Sequence, residues 1–148
     1  MGNSSVSYRN FHPSSTRASA FGRGNRSRNT TPELLLRRAL WRAGVRYRLN
    51  GHGLVGRPDI VVTGSRTAVF CDGDLWHGRD WPRRKMKLER GANAAYWVRK
   101  IERNMQRDRE VNQRLKAAGW RVIRVWEGDV NKDPTRIARE IRDAMDSR

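Results

Sequence analysis

Asp59, Asp72, Asp74 and His77 are the residues of this chain whose types and spacing could do chemistry. Asp59 follows Pro58 at the start of a β-branched run, and Asp72 comes 13 residues later, just past the end of a second run. Asp74 lies two residues further on. Antiparallel strands joined by a short turn bring such positions together, so Asp59 and Asp72 are placed to share a cation. Mg²⁺ is a hard ion that takes one or two carboxylates and fills its shell with water and substrate phosphate. His77 then offers a general base for an attacking water, because its ordinary pKa lies near working pH. Two plainer readings stand beside these. Strand-end aspartates are often solvated turn residues, and a loop histidine is often only a surface residue.

The elements that must position these groups can be read along the chain. Thr31-Pro32 reads as a helix N-cap followed by proline at the first helical position, with Leu36, Leu40 and Ala43 at helical spacing and Gly44 as the stop. A strand near 45–49 precedes a loop punctuated by Gly51, Gly53 and Gly56. Residues 59–63 and 67–71 form a hairpin about the Gly64-Ser65 turn. Residues 72–91 lack periodicity and read as a long functional loop. The longest helix is expected over 93–118, with Trp97, Ile101, Met105, Asp108, Val111, Leu115 and Ala118 near one face and Gly119 as its cap. A strand over 120–126 and a helix over 133–145 close the domain. The order α-β-β-β-α-β-α predicts an α/β fold, a mixed central sheet flanked by helices, because a crossover helix lets strands lie parallel.

Charge narrows the partner. The chain has 148 residues, enough for one domain with a buried core, and a formal net charge of +17. Residues 1–30 hold five arginines and no acid among many Ser, Asn and Gly, a composition that predicts a flexible basic arm. The remaining domain, 31–148, keeps +12 from 27 basic and 15 acidic residues. A surface this basic attracts a polyanion and releases its counterions, which points to a nucleic acid. No apolar run approaches the roughly 20 residues that span a bilayer, and the N-terminus lacks an apolar leader, so no membrane partner is expected. The expected location is the bacterial cytoplasm, in association with the nucleoid. Cys71 is the lone cysteine, which excludes an internal disulfide and a cysteine-rich zinc site.

The motif Pro-Asp-x₁₂-Asp-Gly-Asp resembles the Pro-Asp…(Asp/Glu)-x-Lys signature of restriction-type nucleases, although Trp76 stands where the lysine would be. The wider chain is more specific. Thr31-Pro32-Glu33, Gly56-Arg57-Pro58-Asp59-Ile60-Val61-Val62 and Val69-Phe70-Cys71-Asp72-Gly73-Asp74-Leu75-Trp76-His77-Gly78 carry the first part of it. Tyr96-Trp97-Val98-Arg99-Lys100-Ile101, Asn104, Arg107-Asp108 and Gly119-Trp120-Arg121-Val122-Ile123-Arg124-Val125-Trp126-Glu127 continue it. Over residues 31–135 the chain resembles the very-short-patch-repair (Vsr) mismatch endonucleases, members of the restriction-endonuclease-like PD-(D/E)XK superfamily. The resemblance implies a Mg²⁺-dependent nick in one DNA strand, 5′ to the thymine of a T·G mismatch. Asp59 matches the family's metal-binding aspartate, and Cys71 a position whose backbone carbonyl is a ligand. His77 matches the histidine that activates or positions water. Glu33 matches an acid near the metal-bound waters, or serves only the helix dipole.

Two departures accompany the resemblance. Asp72 occupies the place of a second histidine, which moves the site toward an ordinary two-carboxylate design. The family's structural zinc ligands are replaced by Asp74, Arg79, Trp81 and Gly128, so no zinc is expected and an Asp74–Arg79 salt link is a candidate substitute. Leu75, Trp76 and Trp97 fall where the family inserts wedges into the base stack, although buried tryptophans ordinarily serve packing. Trp41 and Trp120 are assigned to the core. Lys100 and Asn104 stand one turn apart, facing the major groove, or for Lys100 a phosphate. A restriction-type or homing-type endonuclease on matched DNA is the alternative. A non-catalytic DNA-binding protein is more remote, since it gives no reason for Glu33, Asp59, Asp72 and His77 together.

Overall fold

The computed structural model describes residues 29–147 apart from Asn50 and His52. The expected basic arm therefore lies outside the described residues, except for its last two. Helix α1 (Thr31–Arg42) is followed by three strands, β1 (Arg48–Leu49), β2 (Ile60–Val62) and β3 (Thr67–Asp72). Helices α2 (Trp81–Glu89) and α3 (Ala94–Ala117) lead to β4 (Arg121–Trp126), and α4 (Glu127–Lys132) and α5 (Pro134–Asp146) end the domain. The sheet runs β1-β2-β3-β4. The first three strands are antiparallel neighbours, and β4 lies parallel to β3, in register from Thr67↔Arg121 to Asp72↔Trp126. The mixed α/β sheet flanked by helices is the expected restriction-endonuclease-like architecture.

Two helices enlarge the expected order. Residues 81–89, read as loop, form α2, which starts at Trp81-Pro82; proline fits a first turn, where its missing N–H leaves nothing unsatisfied. None of its residues is buried, so it has no continuous apolar stripe for a periodicity argument to find. The short α4 begins directly after β4 and escapes notice for want of length. The N-cap of α1 is Thr30, whose hydroxyl accepts from the Glu33 N–H at 3.4 Å, one residue earlier than expected.

Side-chain alternation along β3 and β4 divides the interior. One face packs Val69, Cys71, Ile123 and Val125 against Leu36 and Leu40 of α1 and Ile137 and Ile141 of α5. The other packs Ala68, Phe70 and Val122 against Val111 and Leu115 of α3. Each such fully buried aliphatic side chain contributes about 1.5–3 kcal/mol. Trp120 lies partly buried at the second cluster, near its expected place, whereas Trp41 is 53% exposed and not a core residue. Arg46 stacks on its ring at 3.5 Å.

Candidate active site

Strand β3 delivers Asp72 to the end of the sheet, on the face covered by α3, and the turn that follows carries His77 back over that helix. Gly78 makes the crossing possible. Its φ is +76°, and a Cβ there would collide with Met105 of α3. His77 Nδ1 lies 2.6 Å from Asp108 Oδ2 and 3.7 Å from Asp72 Oδ1. A carboxylate only accepts, so the Nδ1–H donates to Asp108 and the ring's orientation is fixed. Burial pushes the His77 pKa down, but the Asp108 hydrogen bond and the charges of Asp72 and Asp108 outweigh it, leaving it above its ordinary value.

Asp72 is 5% exposed and meets a cation from the neighbouring strand: Arg124 Nη1 donates to Oδ1 and Oδ2, both at 3.1 Å. The same nitrogen lies 3.4 Å from Asp108 Oδ1. Burial raises the Asp72 pKa, and the charge of Asp108 adds to it, against the lowering effects of His77 and Arg124. Among the described residues, Asp72, His77 and Asp108 form a group whose donor atoms lie within 4.8 Å of one another.

Asp59 sits just before β2, where its Oδ2 accepts from the Cys71 backbone N–H at 2.8 Å. Burial lifts its pKa to about 7 against that hydrogen bond, with Glu33 and Asp72 adding to the rise. Glu33 reaches this corner from the first turn of α1; it accepts from the Asn29 N–H at 2.9 Å and pairs with Arg37 at 3.5 Å. Glu127, at the start of α4, is raised by burial and then by Glu33 and Asp74. Burial also pushes the Cys71 thiol up, so it stays protonated inside the apolar cluster. Buried oxygen donors lying close to one another are a fitting environment for a hard divalent cation.

The loop is clipped to the end of the sheet by charge. Arg79 bridges Asp74 at 3.2 Å and Asp129 at 3.0 Å, and the Gly128 N–H donates to Asp74 Oδ1 at 2.9 Å. The Asp74–Arg79 link considered from sequence is thus formed, with Asp129 as a third member. Gly128 leaves room for it, since a Cβ there would meet the Asp74 carboxylate.

Trp76 is 8% exposed, its ring 5.1 Å from that of Trp97, which in turn meets Tyr96 edge-on at 5.0 Å. The buried Lys100 ammonium lies 5.6 Å from the Trp76 ring, and Asn104 Nδ2 donates to the Trp76 carbonyl at 3.0 Å. Leu75, half-buried, precedes this cluster. The residues singled out for DNA contact therefore come together, with Trp76 folded inward in the DNA-free protein.

The profile of the family described as DNA mismatch endonuclease Vsr matches residues 10–83. The chain is 46% identical to the type II nicking enzyme V.NmeDIP of Neisseria meningitidis serogroup C, over 82% of this chain and 80% of that protein. It belongs to the Vsr family of DNA endonucleases. Other relatives include the type II nicking enzyme V.HpaIIP of Haemophilus parainfluenzae, 41% identical over 82% of this chain and 84% of that one. The DNA mismatch endonuclease Vsr of Escherichia coli is 37% identical over 68% of this chain and 63% of its own length. Against this Vsr-family background, three groups at the site were not singled out as functional from sequence. Asp108 had a signal, an acid inside an otherwise apolar helix face. Arg124 had one too, a cation inside the apolar run from Val122 to Trp126. Glu127 had none beyond its place after that strand.

Proposed function

We propose that this Vsr-family chain is a divalent-metal-dependent endonuclease, served by Mg²⁺, that nicks one strand of double-stranded DNA beside a T·G mismatch. The observation that carries the reading is the His77–Asp108 pair at 2.6 Å beside a buried group of carboxylates. With Nδ1 committed to Asp108, Nε2 on the opposite edge of the ring is the nitrogen free to take a proton from water. Asp108 holds the ring in one tautomer and stabilises the imidazolium that forms. Asp59 and the Cys71 carbonyl, with Glu33 and Asp72 nearby, are the groups that would hold the cation. A bound Mg²⁺ would supply Lewis acidity to the scissile phosphate and charge for the departing oxygen. The nicking enzymes and mismatch endonuclease among the relatives support single-strand cleavage at a mispair.

The test is cleavage of matched and T·G duplexes labelled on either strand, with Mg²⁺ or with EDTA. A single labelled product from the mismatched duplex, dependent on Mg²⁺, is expected. Activity that persists in EDTA overturns the metal assignment. Equal cutting of both duplexes, or double-strand breaks at a fixed sequence, replaces mismatch nicking by restriction-type cleavage, the reading that Asp72 in place of a histidine favours.

A further inference from the structure

Arg124 joins four side chains at the site: Phe70, Asn112, Asp72 and Asp108. It stands on β4 opposite Phe70 of β3, on the face covered by α3. Its guanidinium carbon lies 4.0 Å from the centre of the Phe70 ring, and Nε donates to Asn112 Oδ1 at 2.8 Å. Nη1 is shared between both oxygens of Asp72 and Oδ1 of Asp108. The two oxygens of Asp108 are thereby divided, one for Arg124 and one for His77. The contacts form a closed ring: His77, Asp108, Arg124, Asp72 and back to His77.

An arginine in this position is costly. Desolvating a charge carries a penalty that hydrogen bonds and opposite charges must offset, and an apolar residue would pack more simply against Phe70. What the guanidinium supplies is a fixed cation. Asp72, His77 and Asp108 together offer a mixed oxygen–nitrogen donor set of the kind that takes a divalent metal ion. Nη1 already lies among these donors.

We propose that Arg124 is a positioning residue that acts as a built-in cation at the Asp72–His77–Asp108 group, reserving His77 for Asp108 and confining the catalytic metal ion to the Asp59 corner. The proposal rests on the nuclease reading for the identity of that ion, but its test does not depend on cleavage. It also gives Asp72 a definite part, as the anion that anchors Arg124 rather than as a ligand of the metal.

The wild-type protein supplies the first measurement. With ¹⁵N-labelled histidine, the Nδ1–H resonance of His77 is expected to be present without metal and to persist at saturating Mg²⁺. Its disappearance on adding Mg²⁺ would mean that the ion enters the His77 group, and would overturn the proposal. The second measurement counts Mn²⁺ ions by electron paramagnetic resonance in wild type, Arg124→Met and Arg124→Lys. Methionine keeps an unbranched stem against Phe70 while removing the charge; lysine keeps the charge. Arg124→Met is expected to bind one more Mn²⁺ than wild type, with Asp108→Asn in the same protein abolishing the gain. Arg124→Lys is expected to show no gain. An unchanged count in Arg124→Met, or the same gain in both variants, overturns the proposal. Wild type that neither binds Mn²⁺ nor cuts DNA would instead refute the nuclease reading, with the Arg124→Met comparison still deciding the role of Arg124.

Discussion

Asp59 and His77 are both shifted upward, with opposite consequences for charge. Asp59 moves from 3.8 to about 7, so near neutrality it is partly protonated until a cation arrives. A folded-state pKa above the unfolded one gives stability that is full below about pH 4 and is lost as pH rises through about 7. Asp59→Asn removes that dependence. In EDTA, the variant is expected to melt higher than wild type at pH 8, by an amount worth a few kcal/mol, and to differ little at pH 4. Its cleavage rate in Mg²⁺ should fall by more than roughly 100-fold. A variant that melts lower than wild type at pH 8 would show that the carboxylate is not strained by burial. For His77, the raised pKa means that the neutral base is populated only above the ordinary value of 6.5. The single-turnover rate should therefore climb with pH through a midpoint above 6.5. Asp108→Asn removes the charge that holds the proton and leaves at most a neutral, weaker acceptor for the Nδ1–H, so its midpoint should move down and its plateau fall by about 10²- to 10⁴-fold. A profile unmoved by Asp108→Asn would exclude His77 as the titrating base. The spacing of Asp59, Asp72 and His77 is local, fixed by one hairpin and its exit, and could be read from the chain. Asp108 and Arg124 join them only because α3 covers one face of the sheet and β4, paired beside β3, turns Arg124 to that face, a tertiary fact that no local pattern contains.

At the scale of elements, the active-site loop and α3 form one unit. The Trp76 ring lies against Trp97 from the first turn of α3, Asn104 about two turns later holds the Trp76 carbonyl, and Asp108 one turn beyond holds His77. Moving Trp76 outward would therefore disturb the same helix that orients the histidine. A wedge at Trp76 would thereby be coupled to the chemistry. Opening a base step costs a few kcal/mol, least at a mispair, so under the proposed function the cost of leaving Trp97 would be most easily met at a T·G site. Trp76→Ala is expected to reduce the ratio of T·G to matched-duplex nicking by at least about 10-fold while changing duplex affinity by less than about 3-fold. Equal loss of both would assign Trp76 to packing alone. The hydrophobic pattern made α3 legible because its apolar stripe recurs over six turns. The exposed α2 has no buried residue, and its place in the loop was recognisable only by Pro82.

The whole molecule carries its charge in two parts, +5 in residues 1–30 and +12 in the remaining domain. We propose that the first part is a separate DNA-tracking arm. The described domain places acids at the site and in ion pairs, as with Asp74 and Asp129 on Arg79 or Glu140 on Arg136, while most of its described arginines lie outside such ion pairs. Among these described residues no helix is long and apolar enough to cross a membrane. Affinity from counterion release falls linearly with the logarithm of salt, by about 0.9 per neutralised phosphate. If all five arginines of the arm lie along the backbone, deleting residues 1–28 should flatten that slope by up to about 4.5 and weaken binding most at low salt. The T·G preference should survive, because the residues proposed to sense a mispair lie between Leu75 and Asn104. The measurement is a salt series of equilibrium titrations on matched and mismatched duplexes, with a thermal melt to establish that the shortened chain is folded. A slope that does not change in a folded truncation would assign the electrostatic contact to the domain alone. A slope that changes together with the mismatch ratio would place part of the recognition in the arm.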